Sequence, residues 1–594
     1  MTDETGKKLP NPLVGFQDFK QFIEDKAPFV DKTAIISELI GLRGGTYFLS
    51  RPRRFGKTLL LDTIQNIFEG KRELFEGLDI VTKNLWGDWE PLPVISLSFS
   101  KYPEEPSAIR TRLITDLNTI ARKNSLPIGK VTQVSEIALI IECLSDRQIA
   151  KSKAMGLKPD ESSPKNVVLL VDEYDVPLLV NLESDEAIGE VRKLLHAFYI
   201  SIKSCYKKLR FTLIAGITKF KQLSLYSGLN NVEDISLNHN YSAICGFTEN
   251  EIRLHYRDYI SETLNHLKEK KALGKNANDE TLMAKILEWY DGYSWDGITM
   301  VLNPFSVASL FKEKHFDYYW YLSGAPLFTS LLTLKNDTYF KAFSKNFRIG
   351  NTLPLSDVHE INDEAALFQA GYLTIDSSDE SSLKPQYILK VPNTEIGYAI
   401  VQEFVNKEGI LNKSQETINS KYGSFVDAFD SRNEKECSAI FSSCLSEIAS
   451  HLHLHAELTP QVMMYTMLNI KESRARMEEN VGGGRIDLVY ASPDKDVTII
   501  EIKYKKPWKR ISLQKKQEVI DNGVLMAFKQ ADDKRYALSY FSNERNVYVC
   551  AVSVYGSSDA IIRFKRKVYV DGQIRDAPLR SPATAPKDRK RRGS

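Results

Sequence analysis

The chain of 594 residues lacks several things, and each shortage removes a class of protein. No apolar run approaches the ~18–20 residues that a membrane-spanning helix requires. The longest candidates, such as Val167–Val171, are strand-sized. Six cysteines (Cys143, Cys205, Cys245, Cys437, Cys444, Cys550) are scattered with no CxxC pair and no zinc-ligand spacing. Neither a disulfide framework nor a structural zinc site is therefore expected. Met1 to Pro10 is polar and has no apolar core of the signal-peptide kind. These shortages lead us to expect an intracellular protein with no membrane association, cytoplasmic, or nuclear if the source is eukaryotic. With only 31 Gly and 23 Pro, a collagen-like or low-complexity chain is excluded. An excess of one charge is also missing, since the net charge is +2. Even that comes from the tail, where Arg575, Arg580, Lys587, Arg589, Lys590, Arg591 and Arg592 outnumber two Asp. Bulk charge is thus no argument for nucleic-acid binding.

What is present is an ordinary globular composition, 42% hydrophobic and 26% charged, at a length that implies three or four domains. From about Asn11 to Ser242, short apolar segments (Thr46–Ser50, Val94–Phe99, Val167–Val171, Phe211–Ala215) alternate with longer helical patterns. That alternation predicts an α/β unit with a parallel sheet covered by helices. Phe247–Phe343 reads as mostly helical, a lid. Glu364–Pro392 then offers a helix, a strand, a polar turn and a second strand, the outline of a winged helix. The last segment begins helical, turns into a β-hairpin and continues as α/β. The expected domains are 11–245, 246–345, 346–406 and 407–572, with a disordered basic tail over 573–594. Lys151–Asn166 and Asp376–Gln386 read as linkers or exposed loops.

After TYFLS comes Arg51-Pro-Arg-Arg-Phe-Gly-Lys-Thr58, followed by the apolar pattern LLLDTIQNIF. The phosphate-loop pattern GxxxxGK[ST] between strand and helix is met at Gly56, Lys57 and Thr58, while Arg51 stands where the first Gly belongs. Free backbone N–H groups of Arg53, Arg54, Phe55 and Gly56 at a helix N-terminus would cradle phosphate oxygens. Lys57 would neutralise the β/γ-phosphates and Thr58 would hold Mg²⁺. The plain alternative is a basic surface loop. A second element weighs against it: Val167-Val-Leu-Leu-Val-Asp-Glu-Tyr-Asp175 is an apolar strand ending in carboxylates. Asp172 is placed to be the Mg²⁺ partner, and Glu173 to polarise the attacking water. Thr218, just past the strand Phe211–Ala215, can sense the γ-phosphate or cap a turn; both readings stay open.

RPRRFGKT, VVLLVDEYDVPLL, AGITKF, NNVEDISLNHNYSAICGFTENEI and DGYSWDG…NPFSV together resemble the AAA-ATPase-like family. In that family this NTPase is commonly followed by a PD-(D/E)XK nuclease-like domain, and RPRRFGK is a common form of the loop. The resemblance implies an ATP-binding and hydrolysing unit with Mg²⁺.

A second site follows from hairpin geometry. Gly482-Gly-Gly-Arg-Ile-Asp-Leu-Val-Tyr490 and Val497-Thr-Ile-Ile-Glu-Ile-Lys503 flank a Ser/Pro/Asp turn. If the turn centres on Asp494, facing residues have numbers that sum to 988, as Asp487 and Glu501 do. Directly opposed residues share a face with Cβ atoms ~4.5–5.5 Å apart. Lys503 points the same way as Glu501. The two carboxylates could bind a divalent metal, with Lys503 orienting or activating water; the alternative is a solvated face with a weak ion pair. The context resembles the GRxD…(D/E)xK core of PD-(D/E)XK nucleases. That resemblance implies catalytic roles for Asp487, Glu501 and Lys503, and for Glu457 on the preceding helix. Gln461 stands where the superfamily usually has His, and Gln530 resembles a frequent glutamine. The insertion KKPWKRISLQKK sets Lys505, Lys506, Lys509, Arg510, Lys515 and Lys516 around Trp508. Such a run can grip phosphates and stack a base, or lie as a solvated loop.

The reading is an ATPase coupled to a Mg²⁺-dependent nuclease acting on nucleic acid, with DNA the favoured form. The runner-up is a nucleotide-gated binding or signalling switch whose C-terminal domain does not cleave. Self-association into a homo-oligomer stays open.

Overall fold

The computed structural model describes the chain apart from residues 1–8, 42–44, 88, 103, 183, 220–231, 271, 324–346, 350–362, 380–385, 408–414, 452–457, 469–474, 482–483, 493–495, 507–510, 542–545, 557–558 and 580–594. It divides into two compact units, Met1–Ala399 and Ile400–Ser594.

The first unit is built on a parallel sheet of β1 (Thr46–Ser50), β2 (Val94–Ser98), β3 (Val167–Asp172), β4 (Leu209–Gly216) and β5 (Val232–Asp234), in the order β2-β3-β4-β1-β5. All six residues of β3 are buried, which is why VVLLVD reads as a continuous apolar run rather than an alternating one. Helix Lys57–Phe68 leaves β1 and packs on β3 and β4. The C-terminal ends of β1, β3 and β4 thus open side by side, where open α/β sheets bind ligands. Beyond the sheet, helices Glu249–His255, Arg257–Glu269, Asp279–Tyr290 and Pro304–Glu313 form a second core around Tyr256, Tyr290 and Phe311. Their starts carry the local signals: a capping box at Thr248 and Glu251, and Asn303 capping ahead of Pro304. Helix Asp363–Ala370 precedes the antiparallel pair β7 (Thr374–Asp379) and β8 (Gln386–Lys390), and β6 (Phe347–Ile349) lies on the other side of β8. The strand therefore runs into the polar stretch expected to be a loop from Asp376.

The second unit holds a six-stranded sheet in the order β14-β13-β12-β11-β10-β9. Its strands are β9 (Ala475–Val481), β10 (Gly484–Ala491), β11 (Val497–Lys505), β12 (Val547–Tyr555), β13 (Asp559–Val570) and β14 (Gln573–Ala577). Only β11 and β12 run parallel, the crossover being helix Leu513–Asp533, which covers them on one face. Helix Glu434–His451 packs on β13. All nine residues of β12 are buried. Composition assigned Gln573–Ala577 to the tail, yet it forms an edge strand, held where Asp576 meets Lys565 and Lys567. Residues 580–594 lie outside the described residues. Among the described residues, no helix is long and apolar enough to cross a membrane.

Candidate active sites

The loop Arg51–Thr58 turns sharply, with Arg54 at φ 69° and Gly56 at φ 90°, and delivers Lys57 as the first residue of its helix. The left-handed Gly56 leaves open space where a Cβ would stand, so conformation rather than crowding favours glycine there. Lys57 is buried, and its Nζ donates to the carbonyls of Arg51 (2.8 Å) and Pro52 (2.9 Å). Burial lowers its pKa, opposed by the nearby Asp172. Thr58 Oγ1 donates to Asp172 Oδ2 at 2.6 Å, so the two residues expected to share a metal already meet. Glu173 follows at φ 51°, and its N–H donates to Asp172 Oδ1 at 3.0 Å. Burial, then the Asp172 charge, raises the Glu173 carboxyl above its ordinary value.

Arg51 is 1% exposed. Its Nη1 donates to the carbonyls of Ser50 (2.9 Å) and Ser236 (2.7 Å), its Nη2 to that of Tyr241 (3.1 Å), and the guanidinium lies 4.6 Å from the Trp295 ring centre. The residue that replaces the first glycine is a buried tether. Phe55 is likewise buried, edge-on to Tyr293 and Trp295. Trp320 Nε1 donates to the Arg53 carbonyl at 3.2 Å, and Arg54 lies over Phe305 at 4.8 Å. The DGYSWDG and NPFSV segments therefore hold the loop from outside.

Thr218 is buried; its hydroxyl donates to Asp175 Oδ2 at 2.6 Å and its N–H does so at 2.7 Å. It closes the turn after β4, the capping alternative to γ-phosphate sensing. Asp175, also fully buried, was overlooked although it belongs to the same DEYD motif. A cavity of about 570 Å³ adjoins the loop, lined by Arg53, Arg54, Gly56, Lys57, Thr58 and Glu173. Its apolar wall includes Phe16, Phe22 and Phe29. These residues precede β1 in no recognisable motif; only their aromatic density could have flagged them.

In the second unit, the β10–β11 ladder pairs Leu488 with Ile500 and Val489 with Ile499, the register expected from the turn. That ladder ends at Leu488 and Ile500, and Asp487 and Glu501 stand immediately beyond it. Glu501 is 0% exposed, which removes the solvated-face alternative. Its Oε1 accepts from Lys503 Nζ at 3.0 Å, and Lys503 Nζ also donates to Gln530 Oε1 at 2.8 Å. Asp487 accepts from Gln461 Nε2 (2.8 Å) and from the Ile502 N–H (2.7 Å). Burial and then the Asp487 charge push Glu501 upward, which marks two carboxylates close enough to repel. Glu501 Oε2 is buried with no hydrogen-bond partner. A cation there would satisfy that oxygen and relieve the repulsion, so the donor set fits a divalent metal. Among the described residues no cluster of three His, Cys, Asp or Glu completes a metal site, and Glu457 lies outside them. Of the basic insertion, Lys505, Lys506 and Lys515 are exposed and Lys516 pairs with Asp559 at 2.7 Å. Trp508, Lys509 and Arg510 lie outside the described residues.

Comparison with known proteins finds a family model over part of each unit. A family model described as a predicted AAA-ATPase matches residues 13–226, and one for the PD-(D/E)XK nuclease superfamily matches residues 456–564. A protein of Azotobacter chroococcum mcd 1, described as an uncharacterized protein in the vnfD 5' region, is 35% identical over 392 residues, covering 66% of this chain and 68% of its own. No solved structure matches. With one model on the loop-bearing sheet and the other on the carboxylate-bearing sheet, the chain belongs to the family of predicted AAA-ATPases that carry a C-terminal domain of the PD-(D/E)XK nuclease superfamily.

Proposed function

We propose that the first unit binds and hydrolyses ATP with Mg²⁺ and that the second cleaves nucleic acid, DNA foremost, in a divalent-metal-dependent reaction. The Thr58–Asp172 hydrogen bond carries the ATPase reading, because it joins the end of β3 to the first turn of the loop helix at the edge of the cavity that Thr58 lines. Backbone N–H groups of Arg53 to Gly56 would bind phosphate oxygens, Lys57 would leave the loop carbonyls for the β/γ-phosphates, and Phe16, Phe22 and Phe29 would flank the base. Thr58 and Asp172 would hold Mg²⁺, which neutralises charge on the phosphates. Glu173, its carboxyl held above the ordinary range by burial and the Asp172 charge, is suited to accept a proton from water.

In the second unit, Asp487 and Glu501 would hold a divalent metal that supplies Lewis-acid stabilisation of the scissile phosphate. Lys503, fixed between Glu501 and Gln530, would orient the attacking water. The orphan Glu501 Oε2 carries this reading. A non-cleaving, nucleotide-gated switch is favoured by one observation: Gln461, in place of the usual His, already occupies Asp487. Purified protein incubated with duplex DNA, ATP and Mg²⁺ or Mn²⁺ separates the two. Cleavage lost in Asp487→Ala, with ATP turnover intact, supports the nuclease; intact DNA under every metal supports the switch. Glu173→Gln should retain ATP and lose turnover, and parental turnover would remove Glu173 from the mechanism.

A further inference from the structure

Four cationic side chains line the cavity beside the loop: Lys32, Arg53, Arg54 and Lys57. Three are engaged. Lys32 Nζ donates to both carboxylate oxygens of Glu251 at 2.6 and 2.7 Å. Lys57 rests on the loop carbonyls. Arg54 lies over the Phe305 ring, with its Nε and Nη2 each 3.4 Å from Ser323 oxygens. Arg53 differs. Its backbone is pinned, because its carbonyl accepts from Trp320 Nε1. Its guanidinium makes no hydrogen bond or ion pair with any described residue, although it is only partly exposed. It lines the same cavity as Glu173, which follows β3. The loop therefore presents one uncommitted cation to the cavity that Glu173 also lines.

The geometry points to Arg53 as a catalytic arginine supplied in cis, compensating the charge on the transferring γ-phosphoryl group, while Arg54 is a lid anchor. This rests on the hydrolysis reading of the same site. In that reaction the water oxygen bonds to the γ-phosphorus as the bond to the β–γ bridging oxygen breaks. That electron pair leaves on ADP, and the water proton passes to Glu173 and then to the phosphate. Negative charge grows on the bridging oxygen and stays on the phosphoryl oxygens, within reach of a guanidinium anchored two residues after Arg51. The consequence is that turnover needs no arginine from a second copy of the chain.

Single-turnover ATP hydrolysis and ATP titration on the full chain test this. Arg53→Ala should lower kcat at least about 100-fold while the ATP dissociation constant stays within about 3-fold, as expected of a group that acts mainly in the transition state. Because an altered loop can misfold, the retained ATP affinity of Arg53→Ala is the folding control, and Arg53→Lys should recover part of the rate. Mixing Arg53→Ala with Glu173→Gln should give no more turnover than the two separately. Restored activity in the mixture would show an arginine acting between copies and overturn the assignment. So would an Arg53→Ala protein with parental kcat, or one whose whole loss lies in affinity. A parental protein that binds ATP without hydrolysing it would instead overturn the hydrolysis reading, and the role of Arg53 with it.

Discussion

Replacing Arg51 by Met tests whether the missing first glycine of the loop is a tether or a phosphate ligand. Met keeps most of the side-chain volume and removes the charge and the donors. Two distant carbonyls, of Ser236 and Tyr241, would lose a charged donor in a buried setting, at about 1–3 kcal/mol each. The Trp295 ring would lose a cation–π contact of about 1–2 kcal/mol. Against this stands a relief. Burial pulls the Arg51 guanidinium well below its ordinary range, to about 10, a penalty of about 3 kcal/mol at about 1.4 kcal/mol per pH unit, and Met does not carry it. The net expectation is a loss of about 2–3 kcal/mol from the first unit, read as a lower urea midpoint by tryptophan fluorescence. ATP affinity, measured under conditions where the variant is folded, should change only a few-fold. An unchanged midpoint with a tenfold or greater loss of ATP affinity would refute the tether and put Arg51 on the phosphates.

Glu395 is fully buried, accepts from Ser306 Oγ and the Trp320 N–H, and is pushed by burial from 4.5 to about 8. Its folded pKa is raised, so its contribution to stability is present below about pH 4.5 and lost as pH rises to about 8. The stability of the parent relative to Glu395→Gln should therefore fall by about 3–5 kcal/mol between pH 5 and 8.5 in paired urea titrations; a pH-independent difference would mean that Glu395 ionises freely. Mn²⁺ should raise the melting temperature of the parent but not of Asp487→Asn, since a ligand bound only by the folded state stabilises it; equal shifts in both would take Asp487 out of the metal site. Replacing Lys505, Lys506 and Lys515 by Ser should flatten the salt dependence of DNA affinity by about 2–3 in slope if all three meet phosphates; an unchanged slope would leave the insertion a solvated loop.

Local chemistry by itself determined the strands and the order of the two sites. The segments that became β1, β3 and β4 were visible because buried parallel strands are apolar throughout, and the Gly56-Lys-Thr58 turn because only a few residue types start a helix around an anion. The β10–β11 register was legible too, since a short turn and a period of two leave one pairing that keeps both apolar faces buried. Tertiary structure decided what these residues touch. Arg51 meets Ser236, Tyr241 and Trp295, which lie roughly two hundred residues away along the chain, and no local pattern states that an arginine there will be buried. Thr218 was expected in the right place, but the hydroxyl's partner, Asp175, came from the neighbouring strand end. Whether Glu501 stood on a solvated face or was buried beside a half-buried Asp487 depended on helix Leu513–Asp533 packing on β11. Arg53 and Arg54 are the same residue type at adjacent positions, with equal prospects in the sequence; only the placement of Phe305 and Ser323 engages one and leaves the other open to the cavity. Burial and partner choice are properties of segments brought together from far along the chain, and the periodicity of any one segment carries no information about them.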